Sequence, residues 1–168
     1  MRAEITILEP EVALSFHSVG RRLVCLDETD WLVFIHKDKT YRLLLVEGTI
    51  IDGASIPRLT WTLLGLAPHG VMDTPALPHD LIYKYKGVMP VGEFQVLNDS
   101  TLEWENYDES ITRAFGDALL FAMCVHFDIE RWRATLVWSG VRVGGWWPWM
   151  RDDHKRMEKV LVKQGVAA

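Results

Sequence analysis

The sequence predicts an α+β fold, in which a small N-terminal antiparallel sheet built on a β-hairpin packs against a helical C-terminal half. Three observations carry this expectation. Between Trp31 and Val46, two β-branched and aromatic runs flank a polar connection, the pattern of a hairpin. From Ile111 to Val143 the apolar residues return at helical spacing, as on the buried face of an amphipathic helix. The composition, 49% hydrophobic and 24% charged over 168 residues, is that of an ordinary globular chain and excludes global disorder. Residues 1–150 are expected to form one α+β domain, and residues 151–168 a charged helical tail.

The elements follow in chain order. Ile5, Ile7, Val12, Leu14 and Phe16 alternate loosely around Pro10, which suits short edge strands better than a helix. Trp31–Ile35 and Tyr41–Val46 are the hairpin strands, with His36–Thr40 as their connection. Glu47-Gly48 turns the chain, and Thr49–Ile51 forms a further short strand. Leu59–Leu66 is expected as a short helix opened by Pro57. Pro68, Gly70, Pro75 and Pro78 mark residues 67–78 as an irregular loop. Ala76–Tyr85 is predicted helical, with Pro78 tolerated in its first turn and Lys86-Gly87 as its stop. Residues 87–109 read as loop with a strand at Phe94–Leu97. A long helix capped by Asp108 or Ser110 reaches His126, with Ile111, Ala114, Phe115, Ala118, Leu119, Ala122 and Met123 on its apolar face. A second helix starts near Ile129, carries Trp132, Leu136, Val137, Val141 and Val143, and breaks at Gly144-Gly145. The segment from Arg151 to Gln164 is charged and helical, fraying at Gly165.

Charge and cysteine usage exclude several functions. The net charge is −5, so there is no basic field for phosphate backbones, and nucleic acid is not expected as a partner. Cys25 and Cys124 are far apart and lack the spacing of a thiolate zinc site. Their apolar neighbours predict buried thiols in a reducing compartment. No apolar stretch after the N-terminus resembles a secretory signal, and no run is long enough to span a bilayer. The expected location is the cytoplasm of a bacterial host, or a virion.

The chemistry concentrates between Ile51 and Tyr83. Asp52 follows a strand and precedes Gly53, where it can serve either an Asx-turn or a site. Ser55 lies in Gly-Ala-Ser-Ile-Pro, which lacks the strained elbow of a nucleophilic serine. His79-Asp80 follows Pro78 near an expected helix start, where Asp80 can cap the helix while His79 bonds a carbonyl. Alternatively, Asp52, His79 and Asp80 hold a divalent metal, with Asp117 as a fourth ligand. Such nitrogen and oxygen donors suit Zn, Mn or Fe better than Mg. Asp117 is the one carboxylate between Glu109 and Asp128, set among apolar residues. A charge there requires a partner, and Arg58, Arg113 and Arg142 are the candidates. Trp138, Trp146, Trp147 and Trp149, followed by cations, fit packing of the tail on the body or a protein contact better than a membrane anchor.

Taken together, these residues resemble the DUF1353 family, short bacterial and phage proteins that share a T-D-G-A-S-I-P-R motif. Downstream that family has an H-D followed by a tyrosine, an A-D on a helix, and a closing Trp followed at a distance by Val-Arg. Here the motifs are Ile51–Arg58, with Ile for Thr; His79-Asp80 with Tyr83; Gly116-Asp117, with Gly for Ala; and Trp132 through Val141-Arg142. The resemblance implies a phage or prophage origin and no particular activity.

Two functions are compatible with these residues. The first is a phage-encoded accessory or virion-associated protein, in which Asp52, Arg58, His79, Asp80 and Asp117 form a buried polar network. Its partner would be a protein (a phage structural protein or a second copy) docking at the Trp-rich end, in preference to a membrane surface. The second is a small metal-assisted hydrolase of a peptidoglycan or peptide bond. There Asp52, His79, Asp80 and Asp117 are catalytic, with Asp52, His79 and Asp80 holding a divalent metal, and Arg58, Tyr83 and Arg142 binding substrate. The all-helical HD-type phosphohydrolases share a His, His-Asp, Asp pattern, with His69 upstream here, but the predicted hairpin argues against them.

Overall fold

A computed structural model of the chain describes residues 5–10, 14–19, 22–25, 30–51 and 72–150. Its strands are β1 (Ile5–Glu9), β2 (Phe16–Val19), β3 (Arg22–Cys25), β4 (Asp30–His36), β5 (Lys39–Leu45), β6 (Ile50–Ile51), β7 (Phe94–Leu97) and β8 (Trp104–Asn106). Its helices are α1 (Asp73–Lys84), α2 (Arg113–His126), α3 (Arg131–Gly144) and the short α4 (Trp146–Met150). One five-stranded sheet has the order β1-β4-β5-β7-β8, and a second of three strands has the order β2-β3-β6. Every pairing is antiparallel. The fold is α+β, as the sequence predicts. The expected tail and the expected helix at Leu59–Leu66 lie outside the described residues.

The β4–β5 hairpin is tighter than its polar residues suggest. The strands pair from Asp30↔Leu45 to His36↔Lys39. Only Lys37 and Asp38 stand between them, at φ of 49° and 61°, as a type I′ turn requires. The expected connection over His36–Thr40 is therefore shortened to two residues. Ladder hydrogen bonds are made by the backbone, so polar side chains do not end a strand. The same reason explains β8, which lies in the expected loop 87–109 and pairs with β7 from Gln95↔Asn106 to Leu97↔Trp104.

Period-two alternation gives the large sheet a buried face. Leu32, Phe34, Leu43, Leu45 and Phe94 point inward and are almost fully covered. On the other face, the Arg42 guanidinium lies between the Trp31 and Trp104 rings, at 4.1 and 4.3 Å from their centroids, and donates to Gln95 Oε1 at 2.6 Å. The inner face meets Leu77 and Ile82 of α1 and Leu119 and Met123 of α2 in one core. A second core joins α2 to α3 through Leu120, Cys124, Ala134, Val137 and Val141. Both cysteines are buried, with no disulfide between them. Burial pushes the Cys124 thiol up to about 12, which keeps it inert. Among the described residues no helix is long and apolar enough to cross a membrane.

Helix boundaries differ from the sequence expectation in ways that matter for the site. α1 begins at Asp73 rather than Ala76, so Pro75 occupies the first turn and Pro78 lies inside the helix. Proline at position 78 has no N–H to offer the Thr74 carbonyl, and tertiary packing of the buried face outweighs that loss. α2 is capped by Thr112, whose hydroxyl accepts from Phe115 N at 3.2 Å, and not by Asp108 or Ser110. On α3, Trp132, Leu136 and Val143 are exposed, and the buried stripe is Ala134, Val137 and Val141. The apolar positions of that helix outnumber its one buried face.

The stop after α1 is Lys86-Gly87, both at positive φ (54° and 77°). Ile111 N donates to the Gly87 carbonyl at 2.8 Å, which ties the end of α1 to the approach to α2. A Cβ on Gly87 would collide with the Ile111 carbonyl, whereas Gly48, at φ 75°, faces open space. Gly48→Ala is therefore expected to cost about 1 kcal/mol for left-handed backbone alone. Gly87→Ala is expected to cost about 2 kcal/mol more, because the backbone must also move. Denaturant titration of both variants checks this, and equal losses would show that the Ile111 contact yields freely.

Candidate functional site: a buried carboxylate and its cations

Three helices deliver the site. His79 and Tyr83 are i,i+4 neighbours on α1 and share a face, with ring centroids 4.2 Å apart. Asp117 comes from α2 and Arg142 from the last turn of α3. Gly116 lets α2 lie close to α1: a Cβ there would sit 3.2 Å from Ile82 Cγ2. An alanine at this position, the residue of the resembled motif, would press on Ile82. Gly145 plays the same part for α3, since a Cβ on it would run into the Tyr83 hydroxyl and the Val141 carbonyl.

Asp117 has no exposed surface, and His79 is 2% exposed. Asp117 Oδ1 accepts from the Tyr83 hydroxyl at 2.7 Å and faces His79 Nε2 at 3.2 Å. Its Oδ2 accepts from Arg142 at 2.9 Å, with Arg113 at 3.6 Å from the preceding turn. The other imidazole nitrogen, Nδ1, lies 3.2 Å from Asp80 Oδ1. Arg113 also donates to the carbonyls of Val141 and Arg142 at 3.3 and 3.1 Å, so it caps the C-terminal end of α3 as well as countering Asp117.

The electrostatics follow from this arrangement. Burial alone would push the Asp117 carboxyl up, but hydrogen bonds from His79, Tyr83 and Arg142, and the His79 charge, hold it below the usual carboxylate range. Burial alone would pull His79 down. Its hydrogen bonds to Asp117 and Asp80, and the charge of both carboxylates, outweigh this and raise it. The geometry agrees, because a carboxylate at each ring nitrogen demands N–H on both, and only the imidazolium has both. Burial, and then the hydrogen bond to Asp117 and its charge, raise Tyr83, which keeps it a neutral donor.

The structure thus brings together His79, Asp80, Tyr83, Asp117 and Arg142 from the sequence-predicted set, while Asp52 and Arg58, like Ser55 and His69, lie outside the described residues. Two placements differ from expectation. His79 and Asp80 sit mid-helix, so Asp80 is not a cap and gains nothing from the helix N-terminus; it is engaged by His79 instead. Asp117 lies at the centre of the buried face of α2, among Gly116, Leu119, Leu120 and Cys124. Part of the apolar stripe expected on that helix, Ala114 and Ala118, is turned toward a pocket. Sequence reasoning gave Lys86 only as a helix stop and Trp149 only as part of the Trp-rich end, and did not place either at this cluster. Lys86 Nζ donates to the carbonyls of Pro148, at 3.2 Å, and Trp149, and Trp149 stands edge-on to Tyr83 at 5.0 Å. No spacing signal could have linked them, because the chain separates them by more than sixty residues. Among the described residues no group of three or more His, Cys, Asp or Glu is arranged to hold a metal. An ion on His79 would first have to displace one of its two carboxylates.

A family model described as a protein of unknown function (DUF1353) matches residues 29–141. The chain belongs to this family. No curated protein and no solved structure matches it.

The linked shifts set a pH window. His79 is raised above 6.5 in the folded chain, so its stabilisation is complete below about pH 6.5 and is lost as pH rises through the folded value. Asp117 is lowered below 3.8, so its stabilisation is present above about pH 4 and is lost as pH falls through the folded value. Stability is expected to peak between these limits, and His79→Gln is expected to flatten the alkaline arm and to weaken the acid arm, because His79 helps to hold Asp117 low; denaturant midpoints measured across pH check both. Asp117→Ala removes the carboxylate that buried His79 and partly buried Arg113 and Arg142 share and is expected to cost about 3–5 kcal/mol. Tyr83→Phe removes one hydrogen bond to a charge and is expected to cost about 1.5–3 kcal/mol. A loss below 1 kcal/mol for Asp117→Ala would contradict the arrangement.

Proposed function

We propose that this chain is a non-catalytic accessory protein of phage or prophage origin, carried in the virion or held in the cytoplasm of the bacterial host. Its Asp117-centred cluster then acts as a clasp on three helices. One observation carries this reading: Asp117 is fully buried and both its oxygens are engaged by protein donors. A catalytic carboxylate must meet substrate, water or metal, and Asp117 has no exposed surface at which to do so. His79, with a carboxylate at each ring nitrogen, has no lone pair with which to take a proton or bind an ion. The phage setting rests on the resemblance carried by the motifs Ile51–Arg58 and His79–Tyr83. A protein partner is supported by the exposed aromatic surface of Trp132, Trp146 and Trp147, residues of the type enriched in interface cores.

The reading to separate from this one is a metal-assisted hydrolase using Asp52, His79, Asp80 and Asp117. Calorimetric titration of Zn²⁺ and Mn²⁺ into the full chain, and into Asp52→Ala and His79→Ala, distinguishes them, together with digestion of purified peptidoglycan. The clasp predicts equal metal affinity in all three proteins, no release of soluble fragments, and a lower unfolding midpoint for His79→Ala. Metal binding lost in both variants, or fragment release abolished by Asp80→Asn, would replace the clasp with the hydrolase. Mass spectrometry of purified particles from a producing lysogen tests the virion assignment directly.

A further inference from the structure

The cluster reaches an open pocket through Arg142. Arg142, whose side chain is 34% exposed, donates to Asp117 with one nitrogen and also lines a pocket of about 670 Å³. That volume falls within the roughly 300–1,000 Å³ of small-molecule sites. The pocket lies between the β4–β5 turn end of the large sheet and the helices. Its sheet wall is aromatic: Tyr41, Phe94 and Tyr107 form a mutual cluster with centroids 5.3–5.8 Å apart. Its helix wall is kept open by Ala114 and Ala118, one turn apart on α2. From α3 come Trp138 and Arg142, also one turn apart.

The charges around this space are unequal. Among the described residues, the cluster behind Arg142 holds three cations, His79, Arg113 and Arg142, against two carboxylates, Asp80 and Asp117. Lys37 adds a cation to the pocket lining. The opposing charge is Glu109, whose carboxylate already accepts from the Tyr107 hydroxyl at 3.1 Å. His36, 8% exposed, lines the same wall, and among the described residues its Nδ1 has no hydrogen-bond partner. A buried polar atom without a partner marks an unmet hydrogen-bonding demand.

We propose that this pocket is a binding site for a flat aromatic carboxylate, its ring against the Tyr41–Phe94–Tyr107 wall and its carboxylate on the guanidinium of Arg142. Flat rings suit this wall because aromatic pairs stack with specific geometry and add attraction beyond area burial. A carboxylate suits Arg142 because a guanidinium presents paired N–H donors matched to two oxygens. One Arg142 nitrogen is engaged by Asp117, and the other donors can serve the ligand. The site does not require the clasp to be catalytic or non-catalytic, only that Arg142 be held in place.

The test uses 2-naphthoate as probe and its neutral isostere 2-naphthamide as control, by calorimetry and ligand-observed saturation-transfer NMR on the full chain. The acid is expected to bind at least tenfold more tightly than the amide. Added salt is expected to narrow that gap. Ala114→Trp, at an exposed lining position, is expected to fill the space and abolish binding of both probes with the circular dichroism spectrum unchanged. Arg142→Gln is expected to erase the preference for the acid; if that variant fails to fold, the acid–amide ratio and Ala114→Trp still decide. Equal affinity for acid and amide, no saturation transfer to the acid at millimolar concentration, or binding that survives Ala114→Trp would each overturn the assignment.

Discussion

The structure depends on keeping one carboxylate charged where water cannot reach it. An isolated ionised group in a protein interior is strongly disfavoured, so Asp117 dictates what surrounds it. It needs hydrogen-bond donors on both oxygens and at least one formal cation, and those groups must come from other parts of the chain. Tyr83 and His79 come from α1, Arg142 from α3, and Arg113 from the turn before Asp117 on its own helix. The three helices are registered against one another because any slide would leave that charge unmatched.

The apolar packing around the carboxylate serves the same end. Ile82 against Gly116 and the Tyr83 hydroxyl against Gly145 bring the backbones close enough for short polar contacts. Trp149 covers Tyr83, and Lys86 holds the carbonyls of α4. Buried ion pairs are weak sources of net stability compared with hydrophobic replacements of equal volume, but removing one partner is strongly destabilising. This cluster is best understood through that asymmetry: it specifies one arrangement of the helices more than it deepens the free-energy minimum.

Among the described residues, the buried cluster and the open pocket meet at Arg142. Arg142 satisfies Asp117 on one side and borders the aromatic cavity on the other. The small side chains of Ala114 and Ala118 leave the cavity unfilled, although their helical spacing looks like core. The accessible space therefore separates from the groups that look most reactive. His79 is engaged by both Asp80 and Asp117, while less conspicuous residues, His36, Tyr41 and Tyr107, line the accessible space.

By itself the sequence determined the α+β class, the β4–β5 pairing, the strand at Phe94–Leu97 and the two long helices, because these rest on local periodicity and turn chemistry. It also singled out Asp117 as a charge needing a partner, with Arg113 and Arg142 among the choices, because burial of an unpaired charge is forbidden wherever it occurs. Local signals misled where backbone or packing overruled them. Polar residues at His36–Thr40 hid a two-residue turn, prolines hid the first turn of α1, and the excess apolar positions of α3 left its buried face ambiguous. Only the tertiary structure decided that His79 serves two carboxylates mid-helix, that Tyr83 donates to Asp117, and that Lys86 and Trp149 close the cluster from far along the chain. Those contacts join residues whose sequence separation carries no periodic signal, and they form only when three helices pack around one buried charge.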